Sequence, residues 1–244
     1  MIEPVAPGSA TLRSFLTDPE VFRGDPARSV RLLARVTTAL AGATTICILT
    51  YWGVGRRSYI AEPEHDALAF LSAWLERWRT SFRLDLDVTV LGTDTHAVVN
   101  QLPRESTGNY LTEIERCCAE RGWSFMRASA LLRGQTGFNP DGLGETRFAA
   151  GQATWLRLRS RDREELVRLA RLHAEGLDAE RAAIEYVGQN LLERPVLTAA
   201  YAGRIFVTYS VPSLKWLLPD LPTIFAYVSV NSEVRRPWFR DPPC

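Results

Sequence analysis

The stretch TTICILTYWGVGRRS, residues 44–58, decides the fold of this chain. It begins with an unbroken run of β-branched and apolar residues, which is typical of a strand buried in the centre of a sheet. Gly53-Val54-Gly55 follows at once and predicts a loop at the carboxyl end of that strand. Ligands of parallel α/β sheets bind at this end. We therefore expect a ligand-binding loop here, although a tight strand-to-helix turn would leave the same pattern.

Five residues around this loop are candidates for contact with a ligand. Gly53 and Gly55 carry no side chain, so the backbone can approach a ligand closely. Arg57 offers charge-assisted hydrogen bonds to a carboxylate or a phosphate. Tyr51 and Trp52 come directly before the glycines, where a sheet opens toward its ligand. We predict that this aromatic pair forms part of the pocket; the alternative is packing in the core beneath the loop.

A second polar tip follows the next predicted strand, residues 84–91, and contains Asp94 and His96. An acidic residue at such a tip accepts ribose hydroxyls in nucleotide-binding α/β folds. His96 could orient that carboxylate or transfer protons. The alternative is a turn stabilised by Asp94 with His96 at the surface. Because a single helix connects the two strands, we expect both tips at the same edge of the sheet.

The overall pattern predicts an α/β fold with three Rossmann-like layers and a mostly parallel sheet. A single domain would span residues 1–244, with an N-terminal helical arm over 1–42 and the core over 43–244. Two β-rich runs, 204–210 and 223–230, are joined by about a dozen residues. These runs predict an antiparallel pair at the C-terminal edge of the sheet.

A glycine-rich connection interrupts the middle of the chain. Residues 123–132 are a candidate for the third strand, and residues 133–151 then contain five glycines. A connection this long inside a compact domain is functional or mobile in most proteins. We expect a flap over the ligand, with Phe138 as an aromatic wall and Asn139 as an amide; a surface excursion is the alternative.

Composition and motifs exclude several classes of function. With 29 basic and 28 acidic residues, the net charge of +1 gives no overall attraction to nucleic acid or membrane. No spanning segment or leader is present in the sequence, so we expect a cytoplasmic protein without a membrane partner. Four cysteines and three scattered histidines lack metal-site spacing, so no metal is expected. Nucleotide P-loop, zinc-protease, hydrolase-elbow and dinucleotide motifs are missing.

Two stretches resemble a known enzyme family: TDTHAVVNQLP, residues 93–103, and IFVTYSVPSLKWLLPDLPTIFAYVSVNSEVRRPWF, residues 205–239. Together with the helix around Tyr110, they are similar to bacterial enzymes that make azetidine-2-carboxylic acid from S-adenosylmethionine. The resemblance implies a methyltransferase-like fold with S-adenosylmethionine as the substrate. It also implies that the aminobutyrate part is cyclised and methylthioadenosine is released. The glycine loop departs from the acid-x-G-x-G-x-G pattern of methyltransferases.

This resemblance implies a role for each candidate residue. Arg57 would bind the substrate carboxylate, and Asp94, oriented by His96, would bind the ribose. Asn139 or Ser210 would bind the amine. A cation over an aromatic ring gains about 0.5–2 kcal/mol, so the sulfonium would lie among the rings at the predicted loop tips: Tyr51, Trp52, Phe138, Tyr186 and Tyr209.

Two other families are also similar, and a third possibility is open. Isocyanide synthases of the pyoverdine and dityrosine pathways share the Asp-x-His tip and a late Pro-Trp pair. Cyclodipeptide synthases resemble the chain in length, in that tip, in Glu193-x-Pro195 and in a Ser-Val-Pro strand end. They use aminoacyl-tRNA, so this is the one interpretation in which the chain has a nucleic-acid partner. Their nucleophilic serine is not clearly present, and Thr50 or Ser58 would have to take its place. A non-catalytic module that binds a small molecule would have the same fold.

Overall fold

The computed structural model describes residues 34–54, 57–136, 144–173, 178–208, 222–225, 228–230 and 233–235. Five of the candidate residues lie outside these ranges: Gly55, Phe138, Asn139, Tyr209 and Ser210. Of the expected N-terminal arm, the structure describes a helical segment over residues 34–40. The predictions for the flap and for the arm's first residues therefore stay predictions.

A five-stranded parallel sheet forms the middle layer, with β1 at its centre in the order β3-β2-β1-β4-β5. This confirms that residues 44–58 contain the central strand and that the fold is a Rossmann-like α/β fold. The strands of the sheet are β1 (Thr45–Trp52), β2 (Asp85–Gly92), β3 (Ser124–Arg127), β4 (Ile205–Thr208) and β5 (Thr223–Phe225).

The predicted antiparallel edge of this sheet is wrong. β5 pairs with β4 in parallel, with Phe206 opposite Thr223. A parallel pair requires a crossover of roughly a dozen residues or more, and the chain between the two strands is long enough for one. An antiparallel pair does occur further along, where β6 (Val228–Val230) and β7 (Glu233–Arg235) form a separate two-stranded sheet.

Helices form the two outer layers, and their apolar side chains cover both faces of the sheet. The described helices are α1 (Glu62–Phe82), α2 (Asp94–Val99), α3 (Arg104–Ala119), α4 (Ala128–Thr136), α5 (Gly144–Trp155), α6 (Ser160–His173) and α7 (Ala179–Ala200). Side chains of α1 and α3 fill the core on one face. α7 packs on the other face, and its outer side contacts α5 and α6.

Alternation along β1 sends neighbouring side chains to opposite faces of the sheet. Ile46, Ile48 and Trp52 join the core formed with α1 and α3. Leu49 and Tyr51 belong to the core on the α7 side. The aromatic pair before the glycine loop is therefore divided between the two faces.

The third strand is shorter than predicted, because it ends at Arg127 and α4 begins at once. The backbone N–H of Ser129, in the first turn of α4, donates to the Asp94 carboxylate over 2.9 Å. A carboxylate at this position satisfies a helix N–H that has no partner within the helix. Sequence position alone does not reveal this cap, because Asp94 comes from a different part of the chain.

The glycine-rich connection is helical at both ends, since α4 continues to Thr136 and α5 starts at Gly144. Gly151, a residue of α5, is needed for close packing against α7. A Cβ atom there would lie 2.0 Å from the Ile184 carbonyl oxygen, and one at Gly188 would lie 1.7 Å from the Arg147 carbonyl oxygen. These two glycines allow α5 and α7 to cross in direct backbone contact.

Candidate functional site

The carboxyl ends of β1 and β2 lie side by side, as the sequence predicted. Trp52 and Gly92 are partners in the parallel ladder. The Thr93 backbone N–H and hydroxyl both donate to the Trp52 carbonyl oxygen, over 3.0 and 3.1 Å. These bonds attach the second polar tip to the end of the central strand, at the edge where α/β proteins bind ligands.

A buried polar cluster lies next to this edge and joins α2 to α7. We call it the Glu193 cluster. Residues 186, 189, 190 and 193 follow the helical spacing that places side chains on one face of α7. α2 faces them with a threonine and a histidine, and β1 contributes a tyrosine. The members of the cluster are Tyr51, Thr95, His96, Tyr186, Gln189, Asn190 and Glu193.

The Glu193 carboxylate is at the centre, with 1% of its surface exposed. Its Oε1 atom accepts hydrogen bonds from the Thr95 hydroxyl and, over 2.7 Å, from the Gln189 amide Nε2. Its Oε2 atom lies 3.3 Å from Nε2 of His96, which is the distance of an ion pair. One carboxylate oxygen is therefore held by two donors, and the other faces the imidazole.

Several buried atoms of the cluster have no hydrogen-bond partner among the described residues. They are the Tyr51 hydroxyl, His96 Nε2, Asn190 Oδ1 and Glu193 Oε2. His96 and Glu193 are close enough to pair electrostatically, but their atoms are not aligned for a hydrogen bond. Because a buried polar atom without a partner is costly, such a group of atoms indicates a place for a polar ligand or an ordered water.

Burial and charge shape the acid–base properties of the cluster. Burial acts to raise the pKa of the Glu193 carboxyl. The charge of His96 and the hydrogen bonds from Thr95 and Gln189 outweigh it and hold this pKa below its ordinary value. Burial, followed by the negative charge of Glu193, raises the pKa of the Tyr51 phenol well above its ordinary value. At neutral pH the cluster thus presents an ionised carboxylate beside a neutral phenol.

Aromatic rings enclose the histidine. The His96 ring lies 5.1 Å from the ring of Tyr186 and 6.4 Å from that of Tyr51, both in edge-to-face orientation. Tyr51 in turn contacts Phe206 of β4, with ring centroids 5.0 Å apart. Glu193 thus lies beside a histidine that packs against two aromatic rings, and a carboxylate and the faces of aromatic rings both attract a cation.

The sequence-predicted residues that the structure brings together are Tyr51, His96 and Tyr186. His96 is buried, so it does not occupy the surface position of the alternative turn reading. Asp94 directly precedes Thr95 of the cluster in the sequence. Its two carboxylate oxygens accept hydrogen bonds from the backbone N–H and the hydroxyl of Ser129.

Three other candidates lie apart from the cluster. Trp52 is 3% exposed on the opposite face of the sheet, where its indole N–H donates to the Tyr110 hydroxyl over 3.0 Å. Gly53 is exposed at the end of β1. The half-exposed Arg57 forms an ion pair with Glu64 at 2.8 Å. For Trp52 this is the core position that the sequence left open as the alternative.

Sequence reasoning missed Thr95, Gln189, Asn190 and Glu193 as site residues. The many Arg and Glu residues of 160–188 indicate a solvated surface. The missed signal is a polar stripe at Gln189, Asn190 and Glu193 next to the buried apolar residues Val187, Val196 and Leu197 of the same helix. Polar residues at that spacing, next to a buried apolar run, indicate a polar contact within the core.

The described ranges contain neither a cluster of metal ligands nor a membrane-spanning helix. No group of three or more His, Cys, Asp or Glu side chains there could hold a metal ion. None of the helices in the same ranges is long and apolar enough to cross a membrane.

The fold and the cluster define a Rossmann-like α/β protein with a buried acid–imidazole pair beside the carboxyl edge of its sheet. No protein-family model matches the chain, and no curated protein matches it. Among solved structures it is similar to the PvcA protein of Pseudomonas aeruginosa, with a TM-score of 0.69 and 12% identity over 94% of this chain and 86% of that chain.

A second similar structure is the tyrosyl-tRNA synthetase of Archaeoglobus fulgidus, which was solved in complex with L-tyrosine. Its TM-score is 0.51 and its identity 12%, over 90% of this chain and 64% of the synthetase. At such low identity, both likenesses establish the fold alone.

Proposed function

We propose that this chain is an enzyme that acts on an amino acid or an amino-acid derivative and binds its α-amino group at the Glu193–His96 pair. The observation that carries the proposal is the set of buried, unpartnered atoms in the Glu193 cluster. Glu193 Oε2 and Asn190 Oδ1 are acceptors, and the Tyr51 hydroxyl can accept as well. An ammonium group has three donors and a positive charge, so it suits these atoms better than an anion or an apolar group does.

The same pair supports chemistry at the amine. The carboxylate of Glu193 binds the ammonium form, and the imidazole of His96, when it is in its neutral form, can take a proton from it, so the amine becomes a nucleophile. The two groups are 3.3 Å apart, which lets both contact one nitrogen atom. The surrounding rings limit access of water to that nitrogen.

The specific substrate that we propose is S-adenosylmethionine, on the resemblance described above. Its α-amine nitrogen would attack its own γ-carbon while the carbon–sulfur bond breaks and the electron pair moves to sulfur. The proton of the amine passes to His96. The products are azetidine-2-carboxylic acid and methylthioadenosine. The rings of Tyr51 and Tyr186, on either side of His96, support this choice because they suit the departing sulfonium.

A free amino acid or an aminoacyl ester is the second candidate. The likeness in fold to a synthetase solved with L-tyrosine favours it, since that protein binds an amino acid on the same architecture. The resemblances to cyclodipeptide and isocyanide synthases point to the same class of substrate. Both candidates place an α-amine at Glu193, and they differ in what is attached to it.

Melting curves with matched ligands test the proposal. S-adenosylmethionine and L-tyrosine are each compared with a partner that lacks the α-amine, methylthioadenosine and 3-(4-hydroxyphenyl)propanoate. A ligand at a hundred times its dissociation constant stabilises the fold by about 2.7 kcal/mol. We expect an amine-containing ligand to raise the melting temperature and its partner to do so much less. Equal shifts within each pair, or no shift with either amine, would contradict the proposal.

Turnover then separates the candidates. Release of methylthioadenosine and azetidine-2-carboxylic acid from S-adenosylmethionine would support the first substrate. Binding without any product would favour the non-catalytic module. Glu193→Gln should remove the ligand-induced shift, and Glu185→Gln is the matched control. Glu185 is on the same helix but is paired with Arg181 at the surface.

A further inference from the structure

A buried arginine lies behind the Glu193 cluster, on the side away from β1. Arg147 belongs to α5 and is 5% exposed. Its Nη1 atom donates to the Gln189 side-chain oxygen over 3.3 Å, and Gln189 Nε2 donates to Glu193 Oε1 over 2.7 Å. These two bonds form a chain from α5 to the carboxylate at the centre of the site.

The chemistry of these two hydrogen bonds permits a single orientation of the Gln189 amide. A guanidinium has donors and no acceptor, so the amide oxygen must face Arg147. The amide NH₂ then points to Glu193, which as a carboxylate can accept and not donate. With the amide reversed, its oxygen would face a carboxylate and its NH₂ would face a guanidinium.

The orientation of Gln189 in turn decides which carboxylate oxygen is available. Thr95 and Gln189 both donate to Oε1, so Oε2 is the oxygen directed to His96 and to the unpartnered atoms around it. An amide that could reverse would leave Oε1 with the Thr95 hydroxyl as its donor and let the carboxylate rotate more freely. Which carboxylate oxygen faces a ligand therefore depends on the orientation of Gln189, a residue that acts through Glu193.

The crossing of α5 and α7 explains why Arg147 can reach Gln189. A Cβ at Gly188, the residue before Gln189, would lie 1.7 Å from the Arg147 carbonyl oxygen, and one at Gly151 would lie 2.9 Å from the Gly188 backbone nitrogen. The backbones of α5 and α7 are thus in contact next to Gln189. Any larger residue at these positions would separate the helices and move the guanidinium away from the site.

We infer that Arg147 is a positioning residue: through Gln189 it fixes the Glu193 carboxylate so that Oε2 faces His96 and the amino group of the substrate. The role of Oε2 toward an amine rests on the proposed function. The positioning itself is a property of the ligand-free protein, so it can be measured without any substrate.

Histidine ring resonances report on this positioning. The chain has three histidines, and His65 is exposed on α1, so ¹⁵N-histidine labelling gives a signal at the site and an internal reference. We expect Arg147→Met to shift the His96 ring resonances and to leave those of His65 unchanged. Arg157→Met is the matched control, because Arg157 is exposed just beyond the end of α5. Arg147→Lys keeps a hydrogen-bond donor, so its His96 ring resonances should stay close to those of the wild type.

A double-mutant cycle shows whether Arg147 acts through Gln189. Gln189→Met should shift the His96 resonances by itself, and adding Arg147→Met should then change little more. An additional shift as large as that of the single variant would overturn the inference, as would unchanged His96 resonances in both single variants. If Arg147→Met does not fold, Gln189→Met and Arg147→Lys decide the question. Unshifted His96 resonances in Gln189→Met would overturn the inference. A shift in Arg147→Lys as large as that in Gln189→Met would also overturn it.

Ligand binding provides a separate readout. L-tyrosine and S-adenosylmethionine are the probes, and loss of one charge-assisted hydrogen bond corresponds to about a tenfold or larger change in affinity. We expect Arg147→Met to weaken the probe that binds by about that factor. If neither probe binds the wild type, the proposed function fails, while the resonance shifts still test the positioning.

Discussion

Replacing Glu193 with glutamine removes the charge at the centre of the site and keeps the shape of the side chain. The carboxylate is 1% exposed, accepts two hydrogen bonds and lies 3.3 Å from His96. Breaking a buried ion pair by removing one partner costs about 3–5 kcal/mol. The glutamine carbonyl can still accept from Thr95 and Gln189, so we expect a smaller loss of about 2–3 kcal/mol at neutral pH.

This loss should depend on pH in a definite direction. The pKa of Glu193 in the folded state is lower than its ordinary value. Its carboxylate therefore stabilises the fold fully above the pKa of unfolded glutamate, about 4.3. This contribution is lost as the pH falls through the folded-state pKa. The difference in free energy of unfolding between wild type and Glu193→Gln should shrink over that acidic range.

Urea unfolding of both proteins, from neutral pH down to the onset of acid unfolding, measures this difference. Glu185→Gln is the control, since its ion pair with the half-exposed Arg181 is expected to contribute little. A variant as stable as the wild type at neutral pH would refute the reasoning. A difference that stays constant as the pH falls would also refute it, because the effect would then not come from the carboxylate charge.

Three further substitutions test other parts of the structure. Trp52→Ala should cost about 3–5 kcal/mol of stability and leave the folded fraction active, because the ring is buried opposite the site; paired melting and product assays measure both. Asp94→Asn should weaken S-adenosylmethionine binding more than turnover, since a ribose acceptor holds ground and transition states alike. An equal loss of binding in Ser129→Ala would instead show that Asp94 affects binding through its cap of α4 alone. Gly188→Ala should destabilise the protein by about 1–3 kcal/mol through overpacking. Gly108→Ala, where a Cβ would meet open space, should instead stabilise its helix. The midpoints of urea unfolding compare the two variants.

The elements that the sequence predicted well are those whose signal is local. The apolar run before Gly53 and the run that ends near Gly92 became the two central strands. Parallel pairing of these strands placed both tips at one edge, as a single connecting helix requires. His96 and Tyr51 could be chosen as site residues because each comes at or just after the end of a strand.

The features that the sequence did not predict depend on contacts between distant segments. α4 starts at Ala128 because Asp94 caps it, and neither segment reveals the other. Gly151 looked like part of a loop, but its missing side chain serves the crossing with α7. In the sequence Glu193 stands out only through a family resemblance, because its importance comes from Thr95 and His96, which are nearly a hundred residues away.

A structure of the protein with a bound amino-acid ligand tests the central claim most directly. L-tyrosine and S-adenosylmethionine are the ligands to use, at concentrations that raise the melting temperature. The account predicts that the α-amine nitrogen lies within hydrogen-bond distance of Glu193 Oε2, about 2.7–3.2 Å, and next to the His96 ring. A ligand at the carboxyl edge whose amine points away from the Glu193 cluster, or a ligand bound elsewhere, would contradict it.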